Sequence, residues 1–182
     1  MADDIFTDRL RLSRAVEADL DAIFAIQNDP RVWTHFPSLR HTDPAATLDM
    51  MRRWDRSWEQ AGLGSWVARL RDTGEIIGNG GCTLLRGEVW NVGYRIAADQ
   101  HGHGYATELA RAGIEQARLI DPDRPVIAYL VEHNRASAHV AEKLGLELVH
   151  RAPDVGNPDP AVMRLVYADR PLTATQLAAA LG

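Results

Sequence analysis

Apolar positions recur at two different periods along this chain, and the points where the period changes mark its elements. Leu10-Arg11-Leu12 alternates as a first strand. From Glu17 to Asn28 the positions Leu20, Ile23, Phe24 and Gln27 share one helical side, and Asp29-Pro30 ends the run. Its first turn carries Glu17, Asp19 and Asp21, the charge that a helix dipole favours there. Asp43-Pro44 pairs an N-cap acid with proline at the first helical position. It predicts a helix to Gln60, stopped by Gly62, with Leu48, Met51, Trp54 or Asp55, and Trp58 on the buried stripe. Trp66 to Leu70 and Ile76 to Leu84 read as strands joined by a turn at Arg71–Glu75, and Arg86-Gly87 leads into a further strand from Glu88 to Ile96. Gly78, Gly80 and Gly81 imply a bulge or a close backbone approach in the second of these.

Beyond the stretch Gln100–Glu108, Ala106, Leu109, Ala110, Gly113, Ala117 and Ile120 return to helical spacing. Val126 to Val131 is apolar throughout, as suits a strand buried on both faces and paired in parallel with the strand ending at Ile96. A helix from Asn134 to Leu144 stops at Gly145. Leu146–Arg151 and Val162–Ala168 read as an antiparallel pair around the polar loop Pro153–Pro160. Thr173–Leu181 is a short terminal helix that docks, frames an oligomer contact such as a homodimer, or frays. The large groups of Val32-Trp33-Thr34-His35-Phe36 read first as a core wall and second as the floor of a substrate pocket.

Strands interleaved with helices, without repeat or linker, give a single α/β (α+β) domain over residues 1–182, with a core at about 8–168 and a tail at 169–182. A 46% apolar content is enough to bury a core. Net charge is −5 and no basic arm is present, so no nucleic-acid partner is expected. Cys82 is the single cysteine, which excludes an internal disulfide and a cysteine-based zinc site. Met1-Ala2-Asp3-Asp4 lacks a signal-like pattern and no apolar run approaches spanning length, so the expectation is a cytoplasmic protein with no membrane partner. The histidines are not spaced as metal ligands, and no Gly-x-Ser-x-Gly elbow is present.

The chemistry concentrates at Gln100-His101-Gly102-His103-Gly104-Tyr105-Ala106-Thr107-Glu108, where a strand passes through two glycines into a helix. Free N–H groups and the positive dipole end at such a start favour a phosphate or pyrophosphate, and glycine lets it approach the backbone. Gly104-Tyr105-Ala106 lacks the Lys-Ser/Thr of a P-loop, and the glycines come too late in the chain for a dinucleotide fingerprint. A glycine turn that merely starts a helix is the plain alternative.

The segment His101-Gly102-His103-Gly104-Tyr105-Ala106-Thr107-Glu108 resembles the acetyl-CoA pyrophosphate loop of the GNAT N-acetyltransferases, Arg/Gln-x-x-Gly-x-Gly/Ala. Its Gly-Tyr-Ala-Thr-Glu run is similar to the branch that includes the RimJ/RimL ribosomal-protein alanine acetyltransferases. His101 stands where the family often has Arg or Gln, a change expected to alter affinity without abolishing it. About 30 residues on, Asn134, Ser137, Lys143, Gly145 and Leu146 match the family's Asn-x-x-Ser/Ala and Lys-x-Gly-Phe segments. The resemblance runs from Leu10 to Ala168 and implies a GNAT-like domain with a mixed, splayed central sheet flanked by helices. It also implies acetyl-CoA as cosubstrate, CoA as product, and an amine acceptor.

By that resemblance, Gly93, Tyr94, Arg95 and Ile96 form the strand that receives the acyl carbonyl and pantetheine amides, with a bulge at Gly93. His101 to Thr107 cradle the pyrophosphate, while Asn134 and Lys143 complete the cofactor contacts. Asn134 also suits a plain N-cap. Ser137 is the implied proton donor to the leaving thiolate, since Ala141 occupies the position where other branches carry Tyr. Asn91 replaces a frequent glutamate, which leaves Glu132, His133 and His35 as candidate bases. An α-amino group, with a reference pKa of about 7.7–8.0 against about 10.4 for lysine, needs only a weak base. A protein or peptide N-terminus is therefore the favoured acceptor, with a small-molecule amine or a non-catalytic acyl-CoA-binding role as rivals.

Overall fold

In the computed structural model, which describes residues 4–155 and 157–181, the changes of period fall where elements begin and end. The strands are β1 (Ile5–Phe6), β2 (Leu10–Ser13), β3 (Ser65–Leu70), β4 (Ile76–Leu85), β5 (Val89–Ile96), β6 (Val126–Val131), β7 (Glu147–Pro153) and β8 (Met163–Ala168). The helices are α1 (Leu20–Asn28), α2 (Pro44–Ala61), α3 (Tyr105–Ile120), α4 (Arg135–Lys143) and α5 (Ala174–Leu181). Asp43 caps α2 by accepting the Ala45 N–H at 2.8 Å, and Gly62 ends it at φ 69°. The stripe α2 buries is Thr47, Met51, Trp54 and Trp58; Leu48 is only half-buried, because Thr47 turns inward and bonds His41 Nδ1 at 2.8 Å.

All strands join one sheet in the order β1-β2-β3-β4-β5-β6-β8-β7, antiparallel except for β5 and β6. That single parallel pair brackets α3, the crossover helix, as the apolar run at Val126–Val131 implies. α3 and α4 cover one face over the main core, which includes Trp66, Trp90, Val92, Leu109, Ile114 and Leu130. α1 and α2 bury Ile23, Met51, Trp54 and Val67 on the other face. α5 docks there too: Ala180 packs on Val89, Ile127, Val166 and Ala168.

The strand glycines mark close approach. A Cβ at Gly80 would lie 2.6 Å from the Gly93 carbonyl, and one at Gly113 of α3 would lie 3.1 Å from Gly81 Cα. β4 and β5 stay in continuous register from Gly78↔Ile96 to Leu85↔Val89, so the bulge expected at Gly93 is absent. What opens the sheet instead is the end of β5–β6 pairing after Trp90↔Val126 and Asn91↔Ile127. Beyond these residues the two strands diverge, and the gap lies at their carboxyl ends, the side where α/β sheets bind ligands.

Candidate active site

Two helix starts meet at this gap. On one side a short 3-10 turn, Ala98–Gln100, intervenes between β5 and the glycines, so the strand does not run straight into the helix. Gly102 and Gly104 adopt φ values of 82° and 83°, left-handed geometry that a side chain would strain. Gly104 is the N-cap of α3 without a side-chain cap, and the first helical bond runs from the Glu108 N–H to its carbonyl. The N–H groups of Tyr105, Ala106 and Thr107 therefore lack helical partners and face the positive end of the helix dipole. His101 folds back, its Nε2 donating to the Ile96 carbonyl at 2.9 Å. His103 is exposed and stacks beside Tyr105 at 5.9 Å.

A clamp from the β1–β2 turn fixes this loop. Arg9 Nη1 donates to the His103 carbonyl at 2.8 Å, its Nε and backbone N–H donate to Glu108, and its guanidinium lies 4.4 Å from the Tyr105 ring centroid. Thr7 Oγ1 donates to Glu108 at 2.6 Å. Burial raises the Glu108 carboxyl, but the bonds from Thr7 and Arg9 outweigh it and hold it below its ordinary value. Nothing in the spacing of Thr7 and Arg9 signals this role, because it depends on contacts about a hundred residues away.

Across the gap, Asn134 caps α4 by accepting the Ser137 N–H at 3.1 Å, which leaves its side-chain NH2 free to donate. Ser137 Oγ lies 2.9 Å from Tyr94 Oη, joining α4 to β5 over the mouth. Burial raises the Tyr94 phenol, outweighing the Ser137 bond, so the phenol keeps its proton. Ala141 is buried in the core and cannot stand in for a tyrosine. Lys143 is exposed in the last turn of α4, roughly 13 Å along the helix from Asn134.

Backbone alternation completes this side. Trp90 donates its N–H to the Pro125 carbonyl, toward β6, so the backbone groups of Tyr94 and Ile96 point the same way. Both lie past the last β5–β6 pair. The Ile96 carbonyl accepts His101, while the Tyr94 N–H faces the cleft without a strand partner.

The opposite face of β5 is built from side chains. Asn91, Gly93 and Arg95 share it, and a Cβ at Gly93 would meet nothing within 4 Å. Among the described residues, Asn91 Oδ1 finds no hydrogen-bond partner although it is buried. Arg95 stacks 3.7 Å from the Trp33 centroid and donates from Nη1 to the Val32 carbonyl and to His35 Nε2. Burial, together with Arg95 and His133, lowers His35 to about 4, so it is neutral. His133 donates to the His35 carbonyl at 2.7 Å, closing the rim. Glu132 is held in a two-point ion pair with Arg151 at 2.7 and 2.9 Å, which keeps its carboxyl below the usual range. Beside them a groove of about 420 Å³ is lined by Glu132, His133, Arg135, Asp159, Val162 and Met163 among others.

Residues 9–147 match the family profile described as an acetyltransferase (GNAT) domain. The chain belongs to the GNAT acetyltransferases. YkkB of Bacillus subtilis, an uncharacterised protein, is 32% identical over 156 residues, covering 78% of this chain and 84% of its own. An acetyltransferase from Agrobacterium tumefaciens superposes with a TM-score of 0.75 at 27% identity, over 94% of this chain and 96% of that one. RimL, described as a ribosomal L7/L12 alpha-N-protein acetyltransferase in complex with coenzyme A, gives 0.74 at 17% identity, over 91% and 97%. That last likeness is one of fold.

Acetyl-CoA is the cosubstrate of this GNAT chain, and the residues present fit it. The open glycine loop offers backbone donors for a pyrophosphate, and the gap between β5 and β6 offers room and an unpaired N–H for an extended arm. Among the residues singled out by sequence, Tyr94, Ile96, His101–Thr107, Asn134 and Ser137 gather around the gap. The Arg95 side chain points to the other face, leaving only its backbone on the strand that lines the gap. Glu132 sits on the rim, occupied by Arg151. Val32 and Trp33 are buried while His35 is half-buried, so the segment is both core wall and pocket edge. No helix among the described residues is long and apolar enough to cross a membrane.

Proposed function

We propose that this acetyltransferase acts on nitrogen, moving acetyl directly from acetyl-CoA to a primary amine, the α-amino group of a peptide or protein N-terminus, in the manner of the RimJ/RimL branch. The observation that carries this reading is the 2.9 Å contact between Ser137 Oγ and Tyr94 Oη at the mouth of the gap, beside the unpaired Tyr94 N–H. Burial keeps the Tyr94 phenol protonated; with Tyr94 as the donor in this contact, the serine hydroxyl hydrogen is free for a leaving thiolate. The Tyr94 N–H stabilises the oxyanion that develops on the acyl carbonyl. The glycine-loop N–H groups bind the pyrophosphate, and the free NH2 of Asn134 binds a carbonyl of the pantetheine arm.

The amine attacks the acyl carbon as the C–S bond breaks, and no enzyme nucleophile intervenes. Cys82, the single cysteine, is fully buried, and burial pushes its thiol far up. Holding amine and thioester together supplies much of the rate. For the departing ammonium proton, His133 is the better acceptor than Glu132. Its Nε2–H is donated to the His35 carbonyl, so Nδ1 carries the ring's free lone pair, whereas Arg151 weakens Glu132 as a base. Such a weak base suits an α-amino group better than a lysine.

A small-molecule amine is the second reading, favoured by the size of the groove, about 420 Å³, within the range of small-ligand sites. CoA release with matched acceptors separates them: peptides with free Ser or Ala termini, the same peptides blocked but carrying lysine, and a panel of small amines. Turnover of free termini alone is the expected result. Turnover of small amines alone replaces the first reading with the second, and acetyl-CoA binding without release to any amine leaves a binding module.

A further inference from the structure

Arg95 is a guanidinium taken out of water without a carboxylate to meet it. Among the described residues it makes no ion pair, and its only polar partners are the Val32 carbonyl and the neutral His35 ring. Its Nε and Nη2 donate to no described group. Burial lowers it to about 10, which still leaves it charged at neutral pH. Asp99, four residues on, is committed elsewhere: with Asp29 it grips Arg31. The other side chains gathered here, His35, His41 and His133, supply no negative charge. The Trp33 ring and one carbonyl recover only part of the cost of burying a cation.

The position matters as much as the charge. Trp90, Val92 and Ile96 are buried under α3 on one face of β5, and Tyr94 is tied to α4. An acceptor therefore reaches the gap from the face of Asn91, Gly93 and Arg95. Gly93 is exposed there with open space above it, and Arg95 lies two residues, about 7 Å, along the strand. In an extended peptide that distance is about two residues from the amine.

We infer that Arg95, seated on Trp33 and unpaired beside the open floor at Gly93, is a specificity-determining residue that takes an anionic group carried by the acceptor amine. Resting on the peptide reading, it makes the acceptor an N-terminus with an acidic side chain within its first three residues. A plain structural role, tying the Val32–Trp33 segment to β5, would show no dependence on acceptor charge.

The test uses peptide pairs that differ only as Glu against Gln, or Asp against Asn, at positions two and three. It also uses small amines that carry a carboxylate or phosphate, paired with neutral counterparts. Affinity for each is read on the CoA-loaded protein, and kcat/KM by CoA release. The unaltered protein is expected to prefer the anionic member at least about tenfold, mainly through acceptor KM, with the preference shrinking as salt rises. Arg95→Gln is expected to bring the ratio to near one and Arg95→Lys to restore part of it. Should Arg95→Gln fail to fold, the ratio and its salt dependence in the unaltered protein still decide. A charge preference among small amines with no peptide turnover would defeat the peptide reading while upholding Arg95. A ratio near one throughout, or a preference that survives in Arg95→Gln, overturns the inference.

Discussion

The two sides of β5 do their work with different parts of the chain. Toward α3 and α4, the groups proposed to bind are backbone N–H donors held by left-handed glycines, a helix start and a strand end beyond its last pairing. Toward α1 and α2, they are side chains, Arg95, His35 and His133, brought together from segments up to a hundred residues apart. A backbone cradle serves a cosubstrate that does not change, whereas a side-chain pocket can be altered residue by residue. On the proposed reading, the split separates cosubstrate binding from acceptor choice.

The strongest way to break the comparison is at the cradle. Gly104→Glu forces a side chain into a left-handed position at a φ of 83° and puts negative charge where the pyrophosphate belongs. Acetyl-CoA affinity measured by calorimetry is expected to fall on the order of 100-fold, about 3 kcal/mol. Undiminished affinity would contradict the placement of the loop. At the mouth, Ser137→Ala is expected to lower kcat about 100-fold, the low end for general acid catalysis, with acetyl-CoA affinity held. Tyr94→Phe should cost less, about tenfold, since the serine keeps its hydrogen, and stopped-flow turnover would rank the two.

The cradle was legible in the sequence because backbone geometry leaves residue-type signatures: glycines ahead of a helical period, an Asx cap at Asn134, an apolar run for the parallel strand. Even there the reason for the opening was not legible. The sequence predicts a bulge at Gly93, yet β4–β5 register is unbroken and the gap opens where β5–β6 pairing ends, a tertiary event with no local pattern. The acceptor side was less legible still. The sequence assigns Arg95 to the cofactor strand through its backbone and carries no sign that alternation sends its side chain to Trp33. Glu132 reads as a candidate base because its ion pair with Arg151, which joins the turn after β6 to β7, leaves no local pattern.

Smaller effects sharpen the picture. Arg9→Ala removes the clamp on the His103 carbonyl and Glu108, and is expected to cost about 1–2 kcal/mol in denaturant unfolding and to weaken acetyl-CoA severalfold. The folded Glu108 carboxyl lies below its ordinary value, so its contribution is full above the unfolded pKa and is lost as pH falls through the folded one. Glu108→Gln should therefore flatten the loss of stability below about pH 4.5. His35, lowered to about 4 in the fold, makes stability fall as pH drops from 6.5 toward 4, because the unfolded chain binds the proton first. Its ring resonances should titrate with a midpoint near 4, and a midpoint near 6.5 would contradict its burial against Arg95.

Amide hydrogen exchange with and without saturating acetyl-CoA tests the division of labour most directly. The expected result is slowed exchange at Gly102 to Thr107, at Tyr94 and across the first turn of α4 from Asn134 to Ser137, with the amides of Val32 to His35 unchanged. Unaltered exchange in the glycine loop, or protection concentrated on the Arg95 and Trp33 side, would contradict a cosubstrate held by backbone in the gap between β5 and β6.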